Sequence, residues 1–264
     1  MLATVDWQIL WTRIFHPDHT FALALERTVL ISVAAQFFGV VLGLVAALMR
    51  MSRVWLLRVV SGSYVLVCRG TPIIVQIFFV YFGTNLLFGI TLIPNTVHLG
   101  FLNLDGAVLA GIIALAINEG AFMREIIRAG IDSVDNGQLE AARSLGMTDR
   151  LALRRVVLPQ AARVIVPPLG NEFNAMMKTT SLLAFIGVYE LFQDADVHYS
   201  NTFKPVEYFV AVAVWYLVLT SVWTLVQAQI ERRLAVSERT DGPSSWTRLT
   251  HAWTPAHAWS RGAR

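Results

Sequence analysis

The chain has 264 residues and a formal net charge of +3; 55% of its residues are hydrophobic and only 15% are charged. Soluble globular domains carry about 25% charged residues, so this composition excludes an ordinary soluble enzyme. Its hydrophobicity also excludes a chain that is disordered throughout. The single cysteine, Cys68, excludes a disulfide framework and a cysteine-based metal site.

Five stretches are long and apolar enough to cross a bilayer as helices, which takes about 20 mostly apolar residues. They cover residues 28–49, 55–90, 105–123, 167–189 and 208–230. The second stretch includes residues 54–68, because a separate span there would place Arg53 on the opposite side of the membrane from Arg124. We therefore predict an all-α membrane protein with five transmembrane helices, formed by residues 1–236.

The arginines between these spans fall on one side of the membrane. Arginine-rich loops are typical of the cytoplasmic side, whereas the loops at residues 91–105 and 192–204 are nearly free of arginine and lysine. The N-terminus is then outside and the C-terminus inside. Because the basic residues alternate with apolar spans, we expect contact with membrane lipid and no nucleic-acid partner.

The long cytoplasmic loop between the third and fourth spans is predicted to be folded. Residues 137–145 form a short helix in this prediction, and Gly146 ends it. Either Thr148 or Asp149 is a suitable cap for a second helix. We expect that helix to continue until Pro159 disturbs it. The result is two short helices joined by a sharp turn beneath the membrane.

Residues 237–264 differ in composition from the rest of the chain, with many Ser, Thr, Gly, Pro, His and Arg residues and three tryptophans. Two interpretations stay open. The segment is either a disordered tail or an interfacial segment that rests its tryptophans in the lipid headgroup region beside its arginines.

The cytoplasmic loop contains a motif with specific spacing. A Glu-Ala-Ala triplet is followed, after three residues, by a glycine. Nine residues after that glycine comes the stretch Val-Val-Leu-Pro, which ends in a Leu-Pro pair. These residues are Glu140, Ala141, Ala142, Gly146, Leu158 and Pro159. The spacing resembles that of the EAA loop of ABC importer permeases of type I. The one departure is Val156, which stands where the family pattern has isoleucine. We call residues 136–160 the EAA loop.

Further stretches resemble the permeases of this family that take up polar amino acids such as histidine, glutamine and arginine. They are residues 69–76, 118–130 and 178–182. The resemblance covers approximately residues 20–233. It implies a membrane subunit of an ATP-driven importer in the bacterial cytoplasmic (inner) membrane, with a polar amino acid as substrate.

The resemblance also implies partners. These are two ABC ATP-binding subunits, a second permease chain (identical in a homodimer or similar in a heterodimer) and an extracytoplasmic solute-binding protein. The chain has no G-x-x-x-x-G-K-[ST] loop. We therefore expect no catalytic residue, no metal and no cofactor in this chain, with ATP–Mg bound by the partner subunit.

By the same resemblance, the EAA loop docks on the ATP-binding subunit. The expected coupling residues are Glu140, Ala141, Ala142, Arg143, Gly146, Leu158 and Pro159. Ala141 and Ala142 are small enough to let another protein approach closely. The charge of Glu140 suits the N-terminal end of a helix, and Arg143 is placed to hold Glu140 or to reach a partner.

Polar residues inside the predicted spans are candidates for a substrate path, because ionisable groups at membrane depth are costly. Lys178 is close to the midplane, about 15 Å deep at ~1.5 Å per residue, if the fourth span begins near Pro168. The candidates are Lys178, Asn174, Asn171, Glu172, Glu119, Asn118 and Gln76. In the alternative interpretation they are structural, with carboxylates paired with arginines such as Arg124 and amides bonded between helices.

The alternatives to an importer subunit are a secondary transporter and a membrane-embedded enzyme. A stand-alone ion-coupled secondary transporter typically has repeated halves, and the two halves of this sequence are not alike. A membrane-embedded enzyme acting on lipid needs a nucleophile and base or a set of metal ligands, and neither pattern is found in the sequence.

Overall fold

The computed structural model describes residues 5–89, 93–94, 96–99 and 102–235. Within these ranges the protein is almost entirely helical, as predicted. Its α-helices are α1 (Trp7–Phe15), α2 (His19–Met51), α3 (Trp55–Gly70), α4 (Ile73–Phe78), α5 (Thr84–Phe88), α6 (Gly106–Asp132), α7 (Asn136–Ser144), α8 (Asp149–Ala152), α9 (Leu158–Thr179), α10 (Leu191–Thr202) and α11 (Pro205–Ala235). The predicted tail at residues 237–264 lies outside the described residues.

Three helices, α2, α6 and α11, are each long and apolar enough to cross a membrane alone. Two bent helix pairs also qualify. One joins α3 to α4 at an angle of 109°, and the other joins the helical stretch that contains α9 to α10 at 46°. Counting each bent pair as one span gives five within the described residues, the number that the sequence predicts.

The centre of the fold is the contact between α2 and α6, which pack along most of their length. Two glycines of α2 make this close approach possible. A Cβ atom on Gly43 would lie 2.4 Å from the Cβ of Met123, and one on Gly39 would lie 2.6 Å from the Cγ of Glu119. Small residues at helix interfaces are typical of membrane bundles, where backbones approach closely.

The bend between α3 and α4 is centred on Thr71 and Pro72. Thr71 has extended backbone angles (φ −119°, ψ 145°), and Pro72 is also extended in ψ (136°). A residue before proline is driven out of the helical region by contact with the proline ring, so the helix ends here and restarts at Ile73. Residues 69–72 therefore form a structural elbow within the second span.

The helix that contains the predicted fourth span begins before residue 167, and Pro159 does not end the preceding helix. A five-residue π-helical turn, Leu153–Val157, connects α8 directly to α9. Pro159 is then near the start of α9, where a missing N–H group costs little. Pro167 and Pro168 lie inside α9, so no helix begins at these prolines. The second helix of the EAA loop, α8, forms one continuous helical rod with the π-helical turn and α9.

Two regions predicted as outer loops contain regular structure instead. Residues 191–202 form α10, which is capped by the side chain of Glu190 accepting from the backbone N–H of Gln193 at 2.9 Å. Residues 96–105 contain an antiparallel hairpin of β1 (Thr96–Leu99) and β2 (Leu102–Asp105). Both segments are too polar or too short to show the apolar periodicity from which the spans were predicted.

The N-terminal helix α1 is tied to the start of α11 by charged groups. The Asp6 carboxylate caps α1 and accepts a hydrogen bond from Lys204 Nζ at 2.7 Å, while its backbone N–H donates to Glu207 Oε1 at 2.7 Å. The bond from Lys204 lowers the pKa of Asp6. On the opposite face Trp7 and Trp11 are largely exposed, so α1 presents aromatic rings outward.

Candidate functional site

The EAA loop contains one well-defined helix and a glycine turn. The carboxylate of Asp135 caps α7 by accepting from the N–H of Gly137 at 2.7 Å. At the other end, Gly146 has a φ of +80°, and its N–H donates to the carbonyl of Arg143 at 2.9 Å. A positive φ strains any residue with a Cβ atom. The predicted stop at Gly146 is therefore confirmed.

The faces of α7 have different surroundings. Ala142 is buried, with 4% of its surface exposed, against the rest of the fold. The opposite face, which recurs at helical spacing, is exposed and consists of Gly137, Glu140, Ala141, Ser144 and Leu145. Leu145 is 80% exposed, although its large apolar side chain gains nothing from water. The motif did not single out this side chain.

The charged residues of the loop differ from their predicted arrangement. Arg143 does not hold Glu140; its Nε donates to Asp149 Oδ1 at 2.8 Å, across the Gly146 turn. Glu140 lies in the second turn of α7 and not at its N-terminal end, so the helix dipole gives it little stabilisation. Its carboxylate is exposed and remains available to a partner. Thr148, one of the two predicted caps, caps α8.

A cavity of about 600 Å³ separates the loop from the ends of α2 and α6. Its lining includes Met51 from α2, Ile131 from α6, and Leu139 and Leu153 from the loop. Leu158 and Pro159 follow at the start of α9 and are both exposed. The loop is thus joined to α9 by a continuous helix and is separated by this cavity from the ends of α2 and α6.

Two of the substrate-path candidates, Gln76 and Asn118, form hydrogen bonds with the backbone at the bend between α3 and α4. Gln76 Nε2 donates to the carbonyl of Cys68 at 2.8 Å and to that of Thr71 at 3.2 Å. Asn118 Nδ2 donates to Gln76 Oε1 and to the carbonyl of Cys68, each at 3.1 Å. These carbonyls lose their helical partners at the break, and the two amides replace them. The geometry favours the structural interpretation for both residues.

Asn171 and Asn174 face α11. Asn171 Oδ1 accepts from Gln227 Nε2 at 3.1 Å, and Asn174 Nδ2 donates to Thr224 Oγ1 at 3.3 Å. Such amide bonds hold membrane helices together. Lys178, one turn further along α9, is exposed and lies at a groove of about 600 Å³ between α9, α10 and α11. The groove is lined mainly by apolar and aromatic side chains, among them Phe192, Phe209, Val212, Tyr216 and Leu217.

The two carboxylates among the candidates lie on different helices. Glu119 is 5% exposed and accepts a hydrogen bond from Gln36 Nε2 at 2.9 Å in the seam between α2 and α6. It does not pair with Arg124, which is bonded to Glu125 instead. Glu172 is partly exposed on α9. The hydrogen bonds of the described residues thus separate these candidates into different contacts, and Lys178 lines an open groove.

Comparison with known proteins identifies the family. A family model described as the inner membrane component of binding-protein-dependent transport systems matches residues 39–236. The arginine transport system permease protein ArgU of Corynebacterium glutamicum is 40% identical over 81% of this chain and 68% of its own length. The glutamine transport system permease protein GlnP of Escherichia coli (strain K12) is 34% identical over 88% of this chain and 98% of its own length.

A solved structure gives the same result. The crystal structure of an amino acid ABC transporter with histidines matches with a TM-score of 0.74 and 40% sequence identity, over 87% of this chain and 99% of that one. The helical bundle, with five spans when each bent pair is counted as one, agrees with these similarities. The chain therefore belongs to the family of inner membrane components of binding-protein-dependent transport systems, the permease subunits of ABC importers.

Proposed function

We propose that this permease carries polar amino acids and that separate ATP-binding subunits drive it through the EAA loop. The proposal for the substrate rests on the similarity to permeases named for arginine and glutamine transport. The proposal for the drive rests on the exposed face of α7, which offers a carboxylate, a small residue and a large apolar residue at Glu140, Ala141 and Leu145.

The continuous helix from α8 to α9 supports a mechanical role for the loop. A partner that moves α7 would also move α9, because the Arg143–Asp149 pair and the Gly146 turn join α7 to the rod. The cavity behind the loop leaves room for such a movement relative to α2 and α6. ATP–Mg is bound by the partner in this proposal, and its binding favours one state of the bundle over another.

The remaining partners are proposed on the family relationship. A second permease chain, identical or similar, would complete the path, and an extracytoplasmic binding protein would deliver the substrate. We further propose that the N-terminus is outside and that the EAA loop and the C-terminus face the cytoplasm of a bacterial cell, because the arginine-rich segments share that side.

Lys178 is the residue we propose for contact with substrate. It is a cation on a wall of the groove between α9, α10 and α11, beside Ser181 and aromatic side chains. A lysine ammonium group bonds strongly to a carboxylate, and every amino acid substrate carries one. Gln76, Asn118, Asn171 and Asn174 are instead proposed to hold helices together.

Co-purification tests the proposed drive. The full-length chain should retain an ATP-binding subunit, whereas Ala141→Leu should lose it, because a larger side chain on the exposed face of α7 blocks close approach. Ser200→Leu is a matched control on an exposed helical position of α10 and should retain the subunit. Retention by Ala141→Leu at the wild-type level would contradict docking through this face.

A further inference from the structure

Glu119 has surroundings that are unusual for a carboxylate. It lies in the middle of α6, where α6 crosses α2, and 5% of its surface is exposed; its neighbour Gln36 is 6% exposed. Gly39 is part of the same pocket, because a Cβ atom there would lie 2.6 Å from Glu119 Cγ. The α2 surface therefore packs closely against this side chain.

The hydrogen bonds between the two side chains are incomplete. Gln36 Nε2 donates to Glu119 Oε1 at 2.9 Å. Gln36 Oε1 is buried and has no donor, and it is the one such side-chain atom within the described residues. Buried acceptors are almost always satisfied, and an exception calls for an explanation. A proton on the adjacent carboxyl group would supply the missing donor.

The charges around Glu119 point the same way. The ionisable groups that face it are Tyr64 on α3 and Glu172 on α9, and neither is a cation. The hydroxyl of Tyr64 donates to the carbonyl of Ile117 at 2.6 Å and not to Glu119. Arg124, the next basic residue of α6, is bonded to Ser61 and Glu125. Among the described residues, a carboxylate ion here would be buried with one hydrogen bond and no cationic partner, which is costly at membrane depth.

We propose that Glu119 is a proton-binding site, held as the neutral acid: its hydroxyl donates to Gln36 Oε1 while its carbonyl oxygen accepts from Gln36 Nε2. This acid–amide pair satisfies both side chains. The conclusion does not depend on which way the Gln36 amide is turned. If its oxygen and nitrogen exchanged places, the amide oxygen would lie 2.9 Å from Glu119 Oε1, and two acceptor oxygens at this distance need a proton between them. The pair fastens α2 to α6 and adds no charge to a substrate path.

Infrared spectroscopy of the full-length chain in lipid nanodiscs at neutral pH tests the proposal. The spectrum of the wild type minus that of Glu119→Gln should contain the carbonyl band of a protonated carboxyl group. Bands of a carboxylate ion in its place would overturn the proposal. Gln36→Leu should keep the acid band but shift it to higher frequency, because its hydrogen bonds are lost; an unshifted band would exclude Gln36 as the partner.

Thermal unfolding of the same proteins gives an independent readout. Glutamine has the size of the neutral acid and both a donor and an acceptor, so Glu119→Gln should melt at the wild-type temperature. Glu119→Ala, which leaves the Gln36 amide without partners, should melt lower. A Glu119→Gln chain that melts as low as Glu119→Ala, or that fails to assemble, would show that the charge is required and would overturn the proposal.

Discussion

The Gly146 turn allows a quantitative test of the EAA loop. The substitution Gly146→Ala adds a Cβ atom that meets no atom within 4 Å, so its whole effect comes from the backbone φ of +80°. The left-handed conformation costs a non-glycine residue roughly 1–2 kcal/mol. The loop should adopt its native turn roughly 5- to 30-fold less readily. We expect ATP-dependent uptake and transport-coupled ATPase activity to fall within that range.

The matched control is Gly89→Ala. Gly89 also has a positive φ (+64°) and open space around it, but it lies at the end of α5, away from the loop. The assay is uptake of labelled arginine and glutamine by proteoliposomes that contain the assembled transporter, with the amount of inserted protein measured in parallel. The reasoning is refuted if Gly146→Ala transports as fast as the wild type, or loses no more activity than Gly89→Ala.

Three further predictions concern other parts of the molecule. Lys178→Gln should raise the KM for labelled substrates by about 10- to 100-fold, since a hydrogen bond to a charged group is worth ~1.5–3 kcal/mol. Lys178→Arg should retain most of the affinity. Equal KM values for Lys178→Gln and the wild type would remove this side chain from the path. Gly43→Ala should destabilise the bundle by about 1–3 kcal/mol, because its Cβ atom would lie only 2.4 Å from the Cβ of Met123 on α6. Gly62→Ala is the control, since its Cβ atom meets nothing within 4 Å, and it should not destabilise the bundle. Calorimetric melting of the two variants measures the difference. Acidification should release α1 from α11, because the hydrogen bond from Lys204 lowers the pKa of Asp6. The contact between the two helices is fully stabilised above the ordinary carboxyl pKa. This stabilisation is lost as the pH falls through the lowered pKa. A change in tryptophan fluorescence reports the release, and its persistence in Asp6→Asn would contradict this origin.

The fold and the EAA loop could be predicted because their signals are local. Apolar stretches of about 20 residues define spans whatever they pack against. Gly146 ends α7 for a reason that lies within the turn itself, its positive φ. The elbow at Thr71 likewise follows from the proline beside it. Each of these features needs only a few neighbouring residues.

Pro159 and the partner of Arg143 could not be predicted in the same way. A proline predicts the end of a helix, but the π-helical turn Leu153–Val157 places it near the start of α9, where it is tolerated. Arg143 had two acidic residues within reach. The turn brings Asp149 to 2.8 Å, whereas Glu140 extends from the exposed face of α7.

The substrate-path candidates illustrate a different limit. Counting residues at ~1.5 Å each gives the depth of a side chain in the membrane, but not the direction in which it points around the helix. That direction depends on the packing of whole helices. Asn174 meets α11, Glu119 meets α2, and Lys178 lines a groove. A sequence read one span at a time contains none of these contacts.

The most direct test of the central claim is the side of the membrane on which the EAA loop lies. Leu145→Cys places a thiol on the exposed face of α7, and Ser200→Cys places one on α10; the native Cys68 is buried and should react little. The chain is expressed without an ATP-binding subunit, so that the face of α7 is uncovered. With a membrane-impermeant maleimide, Leu145→Cys should then be labelled in inverted vesicles and protected in intact cells, and Ser200→Cys should behave in the opposite way. Labelling of Leu145→Cys in intact cells would contradict coupling to a cytoplasmic ATP-binding subunit.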